Sequence, residues 1–163
     1  MTQSDGGTAA RRVWFRIARL SSQARSVLAG QLSGIELSVP QCDVLTTLTE
    51  KEGVSQQELA QRLYVTKGNI SGLLDRLERL GLVERRATPG DKRQYAILLT
   101  DAGRAKAQAA IDAQFAIIAE SFGRLSRENL AKFEDLIVEV RDRLRAIGPA
   151  EGAAEERERD AAE

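Results

Sequence analysis

The chain contains no histidine and a single cysteine, Cys42. Without imidazole it lacks the side chain most used for acid–base chemistry near neutral pH, and it cannot build a His–Cys zinc site from its own residues. One cysteine excludes an intramolecular disulfide, which fits a reducing compartment. No run approaches the roughly 18 apolar residues of a membrane span. The opening MTQSDGG is polar, so neither a signal peptide nor a membrane helix is expected. Net charge is missing too, with 24 Lys and Arg against 24 Asp and Glu. Taken over the whole chain, that balance argues against a nucleic-acid partner, which normally shows as a basic excess.

At 163 residues the chain has the length of one domain. Its 42% hydrophobic content is too apolar for wholesale disorder. Divided into segments, the charge balance disappears. Residues 1–33 carry +4, residues 34–54 carry −3, residues 55–100 carry +3, residues 101–147 are neutral, and residues 148–163 carry −4. The last segment, GPAEGAAEERERDAAE, has almost no bulky apolar residue and reads as an acidic disordered tail. Residues 1–147 are then mildly basic, at +4, and the neutral total no longer speaks against nucleic acid.

Hydrophobic spacing predicts a helix over 9–33 after a flexible 1–8, with Val13, Ile17, Leu20, Leu28 and Leu32 at helical intervals beside Trp14. Pro40 suits the first turn of a helix that runs to Glu50, and Gly53 breaks it. Ser55-Gln-Gln-Glu58 reads as a capping box opening a two-turn helix with Leu59, Ala60 and Leu63 inward. After Thr66, a new N-cap, Ile70, Leu73, Leu74, Leu77 and Leu80 mark an amphipathic helix that Gly81 stops. The period then changes. Residues 82–86 and 94–99 read as strands joined by the turn-rich 87–93. Thr100-Asp101 caps a helix over 101–121, and Ser126 caps a last one with an apolar stripe at Leu130, Phe133, Leu136, Ile137, Val140, Leu144 and Ile147.

Two short helices, a tight turn and a hairpin describe a winged helix-turn-helix. The fold class expected is mainly α with a two-stranded β-wing: a winged lobe over 37–100 plus a helical dimerisation region, 9–33 and 101–147. The chemistry follows from the shapes. A helix fits the major groove and presents its N-terminal residues to base edges, while a hairpin beside it reaches the adjacent minor groove. Candidate DNA-binding residues are Ser55 and Gln56 on the first helix of the motif, Thr66, Lys67, Asn69, Ser71 and Arg76 on the second, and Asp91, Lys92 and Arg93 at the hairpin tip.

In order and spacing, the sequence resembles the MarR-type transcription regulators. The matching pieces are Leu37-Ser-Val-Pro-Gln41, Ser55-Gln-Gln-Glu-Leu-Ala60, Val65-Thr-Lys-Gly-Asn-Ile-Ser71, Asp75-Arg-Leu-Glu78, Gly81-Leu-Val-Glu-Arg85, Asp91-Lys-Arg93 and Leu99-Thr-Asp-Ala-Gly103, within residues 10–147. The resemblance implies a cytoplasmic homodimer whose first and last two helices interlock, holding two winged lobes against a palindromic double-stranded DNA operator. It implies a repressor that responds to a small aromatic or other small-molecule effector in a crevice beside the first helix. Arg93 is similar to the family's minor-groove reader, and Asp91 to the residue that orients it through an ion pair, with Arg76 as the third member. The apolar stripe of the last helix has no further element to cover it, which favours a dimer. Trp14, Ile17, Leu130, Phe133, Ile137, Val140 and Leu144 are the candidate dimerisation residues.

Three points stay open at the level of sequence. Gly68 and Gly72 stand on the recognition helix where relatives commonly carry Ser and Arg; they either mark lost contacts or let the backbone approach DNA closely. Cys42 is either a buried core thiol or a redox sensor. The alternative function is a winged-helix protein–protein module with weak or no DNA binding. No cofactor or metal is expected, and no nucleophile–base arrangement supports an enzyme.

Overall fold

The computed structural model describes residues 3–88 and 91–147, with side chains over 7–87 and 95–147. The chain divides into two compact units, one through Ile117 and one from Ile118 onward.

The first unit opens with α1 (Gln3–Ser33), which starts ahead of the expected residue 9. Its apolar positions are used unequally. Leu32 is fully buried and Leu28 packs on the core, while Val13, Trp14, Ile17 and Leu20 stay exposed. α2 (Val39–Glu50) carries Pro40 in its first turn. Its start is held by Gln41, whose Oε1 accepts hydrogen bonds from the backbone N–H and the hydroxyl of Ser38, both at 2.9 Å. Cys42, Val44, Leu45 and Leu48 of this helix are fully buried.

Gly53 turns the chain at φ +76° into a strand the sequence pattern did not reveal, β1 (Val54–Ser55). The expected two-stranded hairpin is present as β2 (Val83–Thr88) and β3 (Asp91–Leu99), and β1 adds a third strand to give an antiparallel sheet of order β1-β3-β2. Two residues are too few to display a period of two, so β1 becomes a strand only through its partner, with Val54 opposite Ile97. β2 and β3 pair from Val83 opposite Leu99 to Ala87 opposite Tyr95, with an irregularity between Ala87 and Thr88.

Between β1 and β2 lie α3 (Gln56–Arg62) and α4 (Lys67–Arg79). They pack Leu59, Ile70, Leu74 and Leu77 into the core formed by α2 and the sheet. Leu80, expected on the inner face of α4, is half-exposed because the helix has ended there and the chain turns at Gly81, φ +68°. α5 (Asp101–Glu120) buries Gly103, Ala107 and Ala110. In the second unit a 3-10 turn, Phe122–Arg124, leads to α6 (Arg127–Ile147). The Ser126 hydroxyl accepts from the Asn129 N–H at 3.2 Å. The Phe122 and Phe133 rings pack with centroids 6.0 Å apart. None of the described helices is long and apolar enough to cross a membrane.

Candidate nucleic-acid interface

The helix-turn-helix is built by two side-chain caps and one unusual turn. Ser55 Oγ accepts from the Glu58 N–H at 3.1 Å, which starts α3. The reciprocal half of the expected capping box is not made. The Glu58 carboxylate is instead held by Lys51 at 3.1 Å and Arg62 at 3.2 Å. These cations, the Lys51 hydrogen bond foremost, keep the exposed Glu58 carboxyl below its ordinary range. Thr66 Oγ1 accepts from the Asn69 N–H at 3.3 Å and starts α4. Between the helices, backbone bonds from Tyr64 to the Gln61 carbonyl and from Val65 to the Ala60 carbonyl close the turn, with Tyr64 at φ +53°.

On α4 one face is core and the other open. Lys67, Gly68, Asn69, Gly72, Asp75, Arg76 and Arg79 are exposed, and Thr66 just before them is exposed too. Ser71, expected on the open face, is half-buried because it lies one turn before the buried Leu74. Ser55 and Gln56 are half-buried at the start of α3. A β-carbon added to Gly68 or Gly72 would meet nothing within 4 Å, so no packing inside the lobe requires either glycine. The side chains of Asp91, Lys92 and Arg93 lie outside the described residues. The expected three-way pairing with Arg76 falls there as well.

The electrostatics of the lobe come from which charges are already used. Arg85 on β2 reaches across to α4 and pairs with Asp75 at 2.6 Å and Glu78 at 2.5 Å, its side chain only 19% exposed. Burial opposes the guanidinium's charge, but the two carboxylates outweigh it and hold its pKa above the ordinary value. Arg86 pairs with Glu84. Every acid over 55–87, namely Glu58, Asp75, Glu78 and Glu84, is thus in an ion pair. Among the described residues, Lys67, Arg76 and Arg79 on the open face of α4 are in none.

The lobe is fastened to α5 by main-chain contact. The Thr100 hydroxyl donates to the Gly81 carbonyl at 2.6 Å and accepts from the Gly103 N–H at 3.0 Å. Gly103 lies so close to the start of β2 that a β-carbon there would stand 1.9 Å from the Leu82 carbonyl oxygen. Glu52 accepts from the Leu99 N–H at 3.1 Å and pairs with Arg104, joining the loop before β1 to the end of β3 and the start of α5.

A family model described as the MarR family matches residues 34–94. The HTH-type transcriptional regulator TtmR of Methylorubrum extorquens (strain PA1) is 45% identical over 80 residues, 49% of this chain; the chain spans only 39% of that relative's length. The transcriptional regulator HosA of Escherichia coli O111:H- is 34% identical over 102 residues, covering 63% of this chain and 76% of HosA. The chain belongs to the MarR family. Its fold matches the crystal structure of a mutant E. coli MarR complexed with operator DNA, with a TM-score of 0.73 and 26% identity over 79% of this chain and 93% of that one.

As a MarR-family transcription regulator, the chain now explains motif residues whose roles were not visible in sequence. Arg85 is the partner that makes sense of Asp75 and Glu78, and Thr100 with Gly103 makes sense of Leu99-Thr-Asp-Ala-Gly103. A signal for the first existed: three charges, two acidic and one basic, flanking a single helix–strand corner. Cys42 proves to be a core thiol. It is fully buried and accepts a weak hydrogen bond from Gln114 at 3.5 Å, and burial, with Asp43 nearby, pushes its pKa up to about 11. Of the candidate dimerisation residues, Trp14, Ile17, Leu130, Ile137, Val140 and Leu144 are exposed in the single chain, and Phe133 is half-buried.

Proposed function

We propose that this MarR-family regulator binds a palindromic DNA operator as a homodimer and represses transcription from it until a small-molecule effector releases it, in the cytoplasm. One observation carries the DNA reading. The four acids over 55–87 are all engaged in ion pairs, so Lys67, Arg76 and Arg79 dominate the open face of α4. A helix with cations on one side and a buried apolar face on the other suits a phosphate-lined groove. Support for the dimer comes from α6, which buries no residue in the single chain while Leu136, Ile137, Val140 and Leu144 are 43–60% exposed. Chains of this size rarely leave such a face open to water.

Two recognition helices on one dimer need half-sites about one helical turn apart. An effector that changes the spacing of the lobes would prevent both from docking at once, which makes release a matter of geometry and differential affinity. The test is a mobility shift on the promoter region of the regulator's own gene. A sequence-specific complex that weakens steeply with salt is the expected result. No complex, or one indifferent to salt, would favour the protein–protein module instead.

A further inference from the structure

We propose that the arginine face of α1 is a docking surface for the chain's own acidic end, residues 148–163. Arg11, Arg12, Arg16 and Arg19 are all exposed. With Thr8 and Phe15 they border one shallow hollow along the helix, because residues three, four, seven and eight apart share a face. Arg12 and Arg16 are four apart, and Arg16 and Arg19 three apart, spacings at which like charges repel. Residues 6–35 contain no Asp or Glu. Among the described residues, none of these four arginines is in an ion pair. Arg25, further along the helix, is different: burial raises the pKa of Asp43 on α2, and the Arg25 charge opposes that rise. The dimer does not claim the arginine face either. On a helical wheel it lies across from Val13, Ile17 and Leu20, so covering that exposed apolar stripe does not itself bury the arginines.

Charge identifies the occupant. Residues 148–163, which lie outside the described residues, carry six acids and two arginines, net −4. Residues 1–33 carry +4, so the two largest imbalances along the chain are equal and opposite. The acidic end has no bulky aliphatic or aromatic side chain, and charge is what it can offer a surface. Its length extends to roughly 50 Å, enough to reach most faces of a domain this size. The tether holds its acids near the arginines at an effective concentration on the order of millimolar, so ion pairs that are individually weak act together. The consequence for binding rests on the DNA reading above: with the arginines of α1 covered, a duplex meets the cations of α4.

The chain supplies its own reporter, since Trp14 is its single tryptophan and stands among the arginines. The experiment places a dansyl acceptor on Ala154→Cys in the full chain, Cys42 staying unlabelled because it is fully buried, and reads energy transfer from Trp14. Transfer should fall about twofold as salt rises from about 50 mM to about 500 mM, because screening then acts within a few ångströms. Arg11→Gln, Arg12→Gln, Arg16→Gln and Arg19→Gln together should cause the same fall at low salt. Helix content by circular dichroism should hold, since glutamine forms helix about as well as arginine. Changing Glu151, Glu155, Glu156, Glu158 and Glu163 each to Gln should also cause that fall, with α1 untouched. Transfer that either variant retains overturns the docking, and does so without bearing on the DNA reading, because no DNA is present. If the arginine variant retains it and also binds a random duplex more weakly than wild type, the face serves nucleic acid instead.

Discussion

Arg85 on the first long strand of the wing sits 2.6 Å from Asp75 on the recognition helix, and a second guanidinium nitrogen reaches Glu78 one turn further on. One side chain thus sets the angle between the two elements offered to a ligand. It also offsets part of the negative charge of two acids that would otherwise repel phosphate.

Removing that clamp should loosen the lobe without dissolving it. Arg85→Ala is expected to lower stability by about 1–2 kcal/mol, discounted because Asp75 and Glu78 are about half exposed. Arg85→Lys keeps the charge but not the two-pronged geometry and should recover only part. Urea melts of the three proteins check the order.

The glycines divide into two kinds with opposite outcomes. Gly103→Ala must displace the Leu82 backbone and should cost ~2–3 kcal/mol. Gly72→Ala meets open space and should stabilise α4 by up to about 1 kcal/mol. Thermal melts measure both. If Gly72→Ala melts higher yet binds operator more weakly, the bare helix face serves close approach; equal binding ends that idea.

Cys42 should behave as an inert thiol. With its pKa pushed up to about 11, native protein at pH 8 should react slowly with a thiol reagent and quickly once unfolded. Peroxide should leave DNA affinity unchanged. The linkage has a definite sign. The folded pKa lies above the ordinary 9.0, so this group's contribution is intact below pH 9 and is lost as pH rises towards 11, where only the unfolded chain ionises freely.

The exposed seam of α6 should fail on receiving a charge. Ile137, half exposed in the single chain, would be desolvated in a dimer. Ile137→Glu is therefore expected to give a folded monomer with weakened operator binding, by light scattering and mobility shift. A dimer that survives the substitution would place the interface elsewhere.

How far the candidate site could be read from sequence depended on the range of the interactions involved. Thr66 as a cap and Gly81 as a stop are local events, settled within four residues, and both stand where helical spacing put them. Ser55 was half legible. Its hydroxyl caps α3 as expected, but the Glu58 side chain had cations available from Lys51 and Arg62 that the four-residue pattern does not contain. Ser71 is half-buried where the open face was expected, because a wheel drawn from one helix does not say how far its neighbours wrap around it.

The sequence by itself determined the helices, the hairpin and their order. Periodicity, caps and turn residues act over a few positions, and in that order they already described a winged helix-turn-helix between flanking helices. The tertiary structure alone decided what the fold does with residues far apart in the chain. It made a strand of Val54 and Ser55, set Glu52 against Arg104, pressed Gly103 onto Leu82 and buried Cys42 beneath Gln114. Each depends on which surfaces meet, and the energy that selects those meetings is shared across the whole core, so no local window of sequence displays it.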